Sequence, residues 1–216
     1  MPAGKAKKSA ADFLPEKVTL KNLREAAASC KGCDLYKNAT QTVFGEGPGE
    51  AAVMFVGEQP GDFEDKAGHP FVGPAGRMFD KALAEARLSR ERVYVTNAVK
   101  HFKWKPQGKR RKHQRPLMSE MMACKPWLKA EVDLVRPKIV VCLGATAAQS
   151  VFGKPVLITK QRGKFVGSDL SSATFITIHP SSIYRHPSKE EQEKEYRRFV
   201  ADLKLIQHRL TALKAA

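Results

Sequence analysis

Four short apolar runs, alternating with helix-like stretches, constrain the fold of this 216-residue chain more than any other feature. Each run is continuously rather than alternately apolar, which is typical of strands covered on both faces of a parallel sheet. The alternation predicts a single α/β domain with three layers, α/β/α, around a mainly parallel four-stranded sheet. The runs occupy residues 51–57, 93–99, 138–143 and 174–178, and the helix-like stretches occupy residues 19–29, 74–86, 117–135, 145–152 and a last segment from about residue 188.

The domain is expected to take up residues 17–216. Residues 1–11 are small and basic without periodicity, so we expect residues 1–16 to form a disordered basic tail. No run of 18 apolar residues occurs, which argues against a membrane span, and no apolar segment follows the first lysines as it would in a secretion signal. We therefore expect a monomer without membrane contact, in the cytoplasm of a bacterium (cytosol and nucleoid).

The net charge of +16, from 38 Lys and Arg against 22 Asp and Glu, favours a polyanionic partner such as nucleic acid. Half of it is concentrated in residues 100–115, which hold eight Lys or Arg and no acid. Pro106 and Gly108 predict that this basic segment is a loop. A solvated surface loop is the alternative, but eight like charges repel one another unless a polyanion compensates them. The basic segment is therefore predicted to contact phosphate groups.

Polar residues follow the predicted strands at the edge of the sheet where ligands usually bind. In open parallel sheets this edge is formed by the carboxyl ends of the strands. Three of the four predicted strands end in residues with useful chemistry, namely Glu58 and Gln59, then Asn97, then His179 with Ser181 and Ser182. The sequence therefore predicts a site at this edge.

The four cysteines are Cys30 and Cys33, in a C-x-x-C pattern, and the distant Cys124 and Cys142. Disulfides are disfavoured in an intracellular chain, and inert buried thiols remain an alternative, above all for Cys142 in its apolar strand. A C-x-x-C pattern with two further cysteines and no others favours a four-thiolate metal site. Zinc and a [4Fe–4S] cluster use the same ligands, so the residues alone do not distinguish them. A structural role is favoured over redox chemistry for either metal.

Several of these segments, taken in order, closely resemble the iron–sulfur members of the uracil-DNA glycosylase superfamily. The resemblance spans roughly residues 20–210 and includes all four cysteines. It implies a DNA-repair enzyme that cleaves uracil from single-stranded and duplex DNA, and a [4Fe–4S] cluster held by Cys30, Cys33, Cys124 and Cys142. The motifs that carry it are Gly57-Glu58-Gln59-Pro60-Gly61, Gly68-His69-Pro70-Phe71-Val72-Gly73-Pro74-Ala75-Gly76, Asn97 and His179-Pro180-Ser181-Ser182.

Two departures narrow the resemblance to the UdgX subfamily, which excises uracil and then stays covalently bound to the DNA through a histidine. Gln59 stands where ordinary iron–sulfur uracil glycosylases usually carry Ala. Those enzymes also lack the basic insert that ends in Lys109-Arg110-Arg111-Lys112-His113. The subfamily's loop is of the K-R-R-I-H type, so Lys112 replaces an isoleucine and is expected to alter the packing of the loop. The resemblance implies covalent capture through His113.

The resemblance also implies roles for the residues of a uracil pocket, to which Gly57 belongs. Phe71 stacks on the face of uracil, and the Asn97 amide matches uracil N3–H and O4 but not the reversed pattern of cytosine. His179 donates a hydrogen bond to O2 and stabilises the departing uracil anion. Gln59 positions the base or the sugar.

At the sugar, the resemblance gives the chemistry to Glu58 and His113. Glu58 stabilises the cationic sugar, aligns a water molecule, or orients and deprotonates His113. His113 attacks as a neutral imidazole, and neighbouring cations are expected to lower its pKa. The residues expected to contact DNA phosphates are Lys109, Arg110, Arg111, Lys112, Ser181, Ser182 and Arg185. Ile183, Tyr184 and Arg185 are expected to form a wedge that fills the space left in the DNA stack when the uracil is extruded.

Two other functions remain open from the sequence. In the first, the same pocket belongs to a turnover glycosylase, in which water attacks the sugar and His113 only binds DNA. In the second, the protein is a non-catalytic iron–sulfur protein that binds damaged DNA, and Gln59 reflects lost chemistry.

Overall fold

All four predicted strands are present in the computed structural model, which describes residues 9–215. They are β1 (Val53–Gly57), β2 (Val93–Asn97), β5 (Ile139–Leu143) and β7 (Thr174–Thr177). The four lie parallel to one another in the order β2-β1-β5-β7. Every residue in them is buried, which explains why the sequence is apolar on both faces of the sheet.

A fifth strand, β6 (Lys164–Val166), pairs antiparallel with β7 at the edge of the sheet. The prediction of a four-stranded sheet is therefore wrong by one strand. Because β6 has three residues that are exposed or half-buried, no apolar run marks it in the sequence. It covers one edge of the sheet and leaves the parallel arrangement unchanged.

Helices cover both faces of the sheet, which confirms the predicted three-layer α/β/α class. One face packs against α3 (Pro74–Glu85) and α7 (Lys189–Ala215). The opposite face packs against α4 (Met118–Val135) and α5 (Ala145–Phe152). Within residues 9–215, no helix combines the length and the apolar character needed to cross a membrane. The shorter helices are α1 (Leu20–Ala27), α2 (Asp62–Ala67) and α6 (Ile158–Gln161).

A third apolar cluster lies beside α4, where α1 and the start of the described chain pack against it. The chain there forms a 3-10 helix, Ala10–Phe13, which is capped by Ser9. Ala10 is fully buried. The prediction of a disordered tail is therefore wrong for residues 9–13, because a small side chain can fill a gap in a core without any periodic pattern. Residues 1–8 of that predicted tail lie outside the described residues.

The basic segment contains a two-stranded antiparallel hairpin, β3 (Trp104–Gln107) and β4 (Arg110–His113), where the sequence predicts a loop. Gly108 has a φ of 57° and begins its two-residue turn, a backbone conformation that favours glycine. Pro106 is tolerated because each strand of a two-stranded ribbon has one unpaired edge. The loop prediction fails because glycine and proline mark hairpin turns and edge strands as well as loops.

Candidate active site

A cavity of about 580 Å³ opens beyond the carboxyl ends of β1, β2 and β7, at the edge where the sequence predicts a site. Its walls come from the turn after β1, the start of α3, the hairpin and the 3-10 helix Pro180–Arg185. The structure therefore joins the predicted base-binding and sugar-reacting groups in one place. The predicted site residues that line the cavity are Glu58, Gln59, Phe71, Asn97, His113, His179, Ser181 and Arg185.

Gly57 keeps one end of the cavity open. A Cβ atom at this position would lie 2.3 Å from Oδ1 of Asn97 and 2.8 Å from the ring of Phe71. Both distances are shorter than van der Waals contact, so a side chain at position 57 would displace the buried amide and the buried ring. The missing side chain at position 57 therefore allows the Asn97 amide and the Phe71 ring, which both line the cavity, to pack closely over the end of β1.

Phe71 is held in a left-handed backbone conformation, with a φ of 59°, which is strained for a bulky residue. Gly76 permits it, because a Cβ atom at position 76 would lie 1.7 Å from the carbonyl oxygen of Phe71. The Phe71 ring lies 5.3 Å from the ring of Phe79 and 6.2 Å from that of His179. This backbone geometry directs the Phe71 ring toward the cavity, beside His179.

Ser181 fixes the tautomer of His179. Its backbone N–H donates to Nδ1 over 3.2 Å, and its hydroxyl lies 2.8 Å from the same atom. An Nδ1 that accepts a hydrogen bond carries no proton, so the proton of the neutral ring is on Nε2 and can be donated to a ligand. Burial, with smaller contributions from Arg185 and His113, lowers the pKa of His179 to about 4. The ring is therefore a neutral hydrogen-bond donor at neutral pH.

His113 and Glu58 meet in the cavity, with 3.3 Å between Nε2 and Oε1. Glu58 is itself held in place, because Thr146 donates its hydroxyl to Oε2 over 2.5 Å and Arg115 donates to Thr146. Burial lowers the pKa of His113, Glu58 opposes this effect and Arg185 adds to it. The direction agrees with the expectation from the sequence, but the main cause is burial and the contributing cation lies outside the hairpin.

Gln59 lines the cavity and also holds the two ends of the hairpin together, and its predicted role at the uracil base or the sugar stays a prediction. Its Nε2 donates to the carbonyl oxygens of Lys103 and Gln114 over 3.2 and 3.0 Å. Its Oε1 accepts the backbone N–H of Lys103 over 3.0 Å. The amide is therefore occupied by the backbone on both sides of the hairpin. Gln59 is a positioning residue for the strand that carries His113.

Arg111 binds two carboxylates of its own chain, which corrects its predicted contact with DNA phosphate. Nε donates to Asp62 over 2.5 Å, and Nη1 donates to Asp65 over 2.6 Å. The guanidinium also lies over the rings of Phe102 and Trp104. Arg111 thus ties β4 to α2, and its charge is neutralised within the protein.

Only some of the cations of the basic segment are exposed, because others pair with carboxylates of the same chain. Lys100 is buried against Glu131, and Lys103 pairs with Glu120. Lys112, at the position of the usual isoleucine, is exposed and pairs with another lysine across the hairpin, so the cation occupies a solvated position. The cations of the hairpin that remain exposed are Lys105, Lys109, Arg110 and Lys112.

Replacing Arg111 by Met is expected to loosen the hairpin, because Asp65 is fully buried and would lose its cation. Breaking a buried ion pair by removing one partner costs about 3–5 kcal/mol. Limited trypsin digestion should therefore cut the hairpin of this variant much faster than that of the unaltered protein. Lys105→Met removes an exposed cation and a trypsin site from the same hairpin and should leave digestion slow. Equal rates for the two variants would contradict the anchoring role.

The 3-10 helix Pro180–Arg185 places its side chains in three different environments. Ser182 donates its hydroxyl to the carbonyl oxygen of His179 over 2.8 Å. Ile183 is buried in the core, so the prediction that it belongs to a wedge is wrong. Tyr184 and Arg185 remain at the cavity. The phosphate contacts of Ser181, Ser182 and Arg185 stay predictions.

The structure separates Cys142 from the other three cysteines. Cys30, Cys33 and Cys124 belong to the cluster beside α1 and α4. Cys142 lies in β5, paired with β1 and β7, and belongs to the separate cluster between the sheet and the helices α4 and α5. The prediction of a four-cysteine ligand set is therefore wrong in its fourth member. Within residues 9–215, no group of three or more His, Cys, Asp or Glu side chains is arranged to hold a single metal ion.

A buried ion pair behind Asn97 is part of the site that sequence reasoning missed. Nζ of Lys100 donates to the Asn97 carbonyl oxygen over 2.8 Å and to Oε2 of Glu131 over 2.6 Å. Glu131 also accepts the hydroxyl hydrogen bonds of Tyr94 and Thr96. The network fixes the end of β2 from which Asn97 faces the cavity. A signal was present, since Glu131 interrupts an otherwise apolar helical face.

Comparison with known proteins identifies the family of this chain. The family model described as the uracil DNA glycosylase superfamily matches residues 44–204. A type-4 uracil-DNA glycosylase of Thermotoga maritima is 40% identical over 167 residues, which cover 77% of this chain and 83% of the relative. A type-4 uracil-DNA glycosylase of Sulfurisphaera tokodaii is 35% identical over 201 residues, covering 89% and 88%. The chain therefore belongs to the uracil-DNA glycosylase superfamily, in its type-4 branch.

Proposed function

We propose that this uracil-DNA glycosylase excises uracil and then captures the resulting sugar covalently through His113. The observation that carries the proposal is the position of the imidazole, with Nε2 3.3 Å from the Glu58 carboxylate in the cavity that also contains Asn97 and His179. A histidine that served only to bind phosphate would have no reason to lie beside the groups that hold the base and stabilise the sugar.

The first step breaks the C1′–N1 bond. Its electron pair leaves with uracil as an N1 anion, and the sugar becomes an oxocarbenium ion. His179 stabilises the anion by donating Nε2–H to O2, and the Glu58 carboxylate stabilises the cation. The Asn97 amide holds N3–H and O4, so that cytosine, with its reversed donors and acceptors, is rejected.

The second step forms a bond between a nitrogen of His113 and C1′. The electron pair comes from Nε2 of the neutral ring, and the imidazolium that forms loses its Nδ1 proton to water. The uracil anion takes up a proton from water, so the products are uracil and a protein–DNA adduct joined by a C–N bond. Protein and DNA supply every other atom, so no further reactant is needed.

Capture is expected to depend on pH through His113. Burial lowers the pKa of this imidazole below its ordinary value of 6.5, so the neutral form dominates at neutral pH. The initial rate of adduct formation should be constant above that lowered pKa and should fall as the pH drops through it. Rates measured across mildly acidic and neutral pH would test this, and a midpoint above the ordinary histidine pKa would contradict it.

A denaturing gel tests the proposal. The protein is mixed with a uracil-containing oligonucleotide, denatured in SDS and examined for a band of higher mass. His113→Ala should give no shifted band and should release abasic DNA, because water can occupy the vacated space beside Glu58. His208→Ala, at an exposed position of α7, is the matched control and should give the full shift. Repeated release of abasic DNA by the unaltered protein would identify a turnover enzyme, and intact uracil would identify a DNA-binding protein.

We also propose a [4Fe–4S] cluster held in part by Cys30, Cys33 and Cys124. These thiols lie in one cluster, and Trp127 donates its indole N–H toward Sγ of Cys30 over 3.3 Å. Sulfur-rich donor sets of this kind suit iron–sulfur clusters. Such a cluster would supply a covalent link between the segment that follows α1 and α4.

His101 is the residue we propose as the fourth ligand. The backbone N–H of its neighbour Lys100 donates to Sγ of Cys124 over 3.3 Å, so this part of the chain lies against the thiols. Nε2 of the buried His101 ring lies 2.9 Å from the hydroxyl of Thr42. Histidine ligands commonly bind a metal through one nitrogen while the other is held by a hydrogen bond, which leaves Nδ1 for iron.

Iron content separates this ligand set from the four-cysteine set. Anaerobically purified protein should contain iron and absorb broadly at about 400 nm. Cys142→Ala should keep both properties, whereas Cys124→Ala should lose them. His101→Ala should lose iron, and His101→Cys should restore it. Iron loss in Cys142→Ala with retention in His101→Ala would overturn the assignment.

The exposed cations around the cavity are proposed to bind the phosphates of the DNA strand. Lys109, Arg110 and Lys112 lie on the hairpin, and Arg185 lies at the cavity itself. Exposed Lys and Arg side chains gain affinity for DNA by releasing its counterions, without reading sequence. They would hold the strand on both sides of the uracil whatever its neighbours.

A further inference from the structure

Two exposed aromatic side chains stand at the mouth of the uracil cavity. Phe63, in α2, is 58% exposed, and Tyr184, in the 3-10 helix, is 49% exposed. Both line the cavity. Of the large apolar residues exposed in the described part of the chain, one further aromatic residue, Phe165, lies in β6 and does not line it. Exposed aromatic surface is therefore concentrated where the DNA strand must enter.

Both side chains start beside the beginning of α3. The Tyr184 hydroxyl donates to the carbonyl oxygen of Pro74 over 3.3 Å. The Cβ atom of Phe63 would lie 3.4 Å from a Cβ atom at Gly73, so its side chain starts against the same end of the helix. The hydrogen bond of Tyr184 reduces the conformational freedom that this ring would lose when a flat partner covers it.

The charges at the mouth indicate what kind of partner this is. Arg115 and Arg185 line the cavity together with the carboxylates of Glu58, Asp62 and Glu64. Two of these carboxylates are engaged within the protein, because Asp62 pairs with Arg111 and Glu64 accepts backbone N–H groups of the turns around it. Arg115 is held by two neutral groups, Thr146 and Gln149, so its charge remains available. Exposed aromatic faces beside cations are the combination that binds single-stranded nucleic acid, because unpaired bases stack on the rings while their phosphates meet the cations.

We propose that Phe63 and Tyr184 are stacking platforms for the unpaired bases on either side of the uracil, and that single-stranded DNA is the preferred substrate. The inference rests on the uracil-excising activity. In a duplex, the neighbouring bases are already stacked and paired, and their faces are closed to both rings. In a single strand each neighbour offers a free face, and extruding the uracil breaks fewer contacts.

The test combines substitutions in the protein with deletions in the DNA. Single-stranded oligonucleotides carry uracil with normal neighbours, or with one neighbour replaced by a sugar that has no base. Binding and single-turnover excision are measured for the unaltered protein, Phe63→Ala, Tyr184→Ala and the conservative Phe63→Tyr and Tyr184→Phe. Phe165→Ala is the matched control, because it removes an exposed aromatic ring far from the cavity.

Each alanine variant should bind the complete single strand roughly tenfold more weakly and should be insensitive to loss of the base that its ring covers. The conservative variants should restore binding, Phe165→Ala should bind normally, and duplex binding should change much less. The inference would be overturned if the loss of affinity from the alanine substitution simply added to the loss from removing the neighbouring base. It would also be overturned if the substitution weakened binding to single strand and duplex equally. A complete absence of uracil release from every substrate would instead count against the proposed function.

Discussion

A methyl group added at position 57 is expected to slow uracil excision strongly. In Gly57→Ala the new Cβ atom would fall 2.3 Å from the Asn97 amide oxygen and 2.8 Å from the Phe71 ring, so one or both must move. Displacing groups that position a substrate by about 1 Å can cost about 100-fold in rate. Single-turnover excision from a uracil oligonucleotide should therefore fall by about 100-fold or more.

Gly49→Ala is the matched control for this substitution. Its Cβ atom would approach no closer than 3.4 Å to Cδ1 of Leu20, which is ordinary contact. This variant should excise uracil at the unaltered rate, and thermal melting of both variants shows whether any loss reflects unfolding. Normal excision by a folded Gly57→Ala would mean that uracil does not bind between Asn97 and Phe71.

Glu58→Gln is expected to slow both uracil release and capture. The neutral amide keeps the size of the side chain but removes the negative charge that stabilises the developing sugar cation. Loss of one preorganised electrostatic group costs about 100- to 1,000-fold in such sites. Because Glu58 also raises the pKa of His113, its removal should move the pH profile of the remaining capture to lower pH.

Rapid-quench measurements of uracil release and adduct formation separate the two effects. Glu50→Gln, at an exposed position before β1, provides the control and should behave as the unaltered protein. A Glu58→Gln variant that releases uracil at the normal rate would remove Glu58 from the chemistry and leave it a role in holding His113 alone.

The parallel sheet could be predicted from the sequence because burial of its strands leaves a local pattern of apolar residues. Strands buried on both faces must be apolar throughout, and all four such runs form strands. The short edge strand β6 and the hairpin leave no comparable mark, since half-exposed strands tolerate lysine, proline and glycine. Their formation depends on pairing with segments that the local sequence does not identify.

Site residues could be predicted from the sequence where their role depends on their position at the end of a strand. They could not be predicted where their role depends on which other side chains lie next to them in the fold. Asn97 and His179 lie at strand ends, and topology alone brings those ends together. Arg111 differs, because its predicted contact with phosphate was corrected by its ion pairs with Asp62 and Asp65, which the sequence does not reveal. Cys142 fails for a similar reason, since its strand position separates it from the other thiols.

The mass of the complex that survives SDS tests the central claim most directly. If His113 captures the sugar, intact mass spectrometry should give the sum of protein and oligonucleotide minus one uracil, because uracil is the only product released. Digestion of protein and DNA should then place the remaining deoxyribose phosphate on the peptide that contains His113. Attachment to another residue, or full recovery of unmodified protein together with free abasic DNA, would contradict the account.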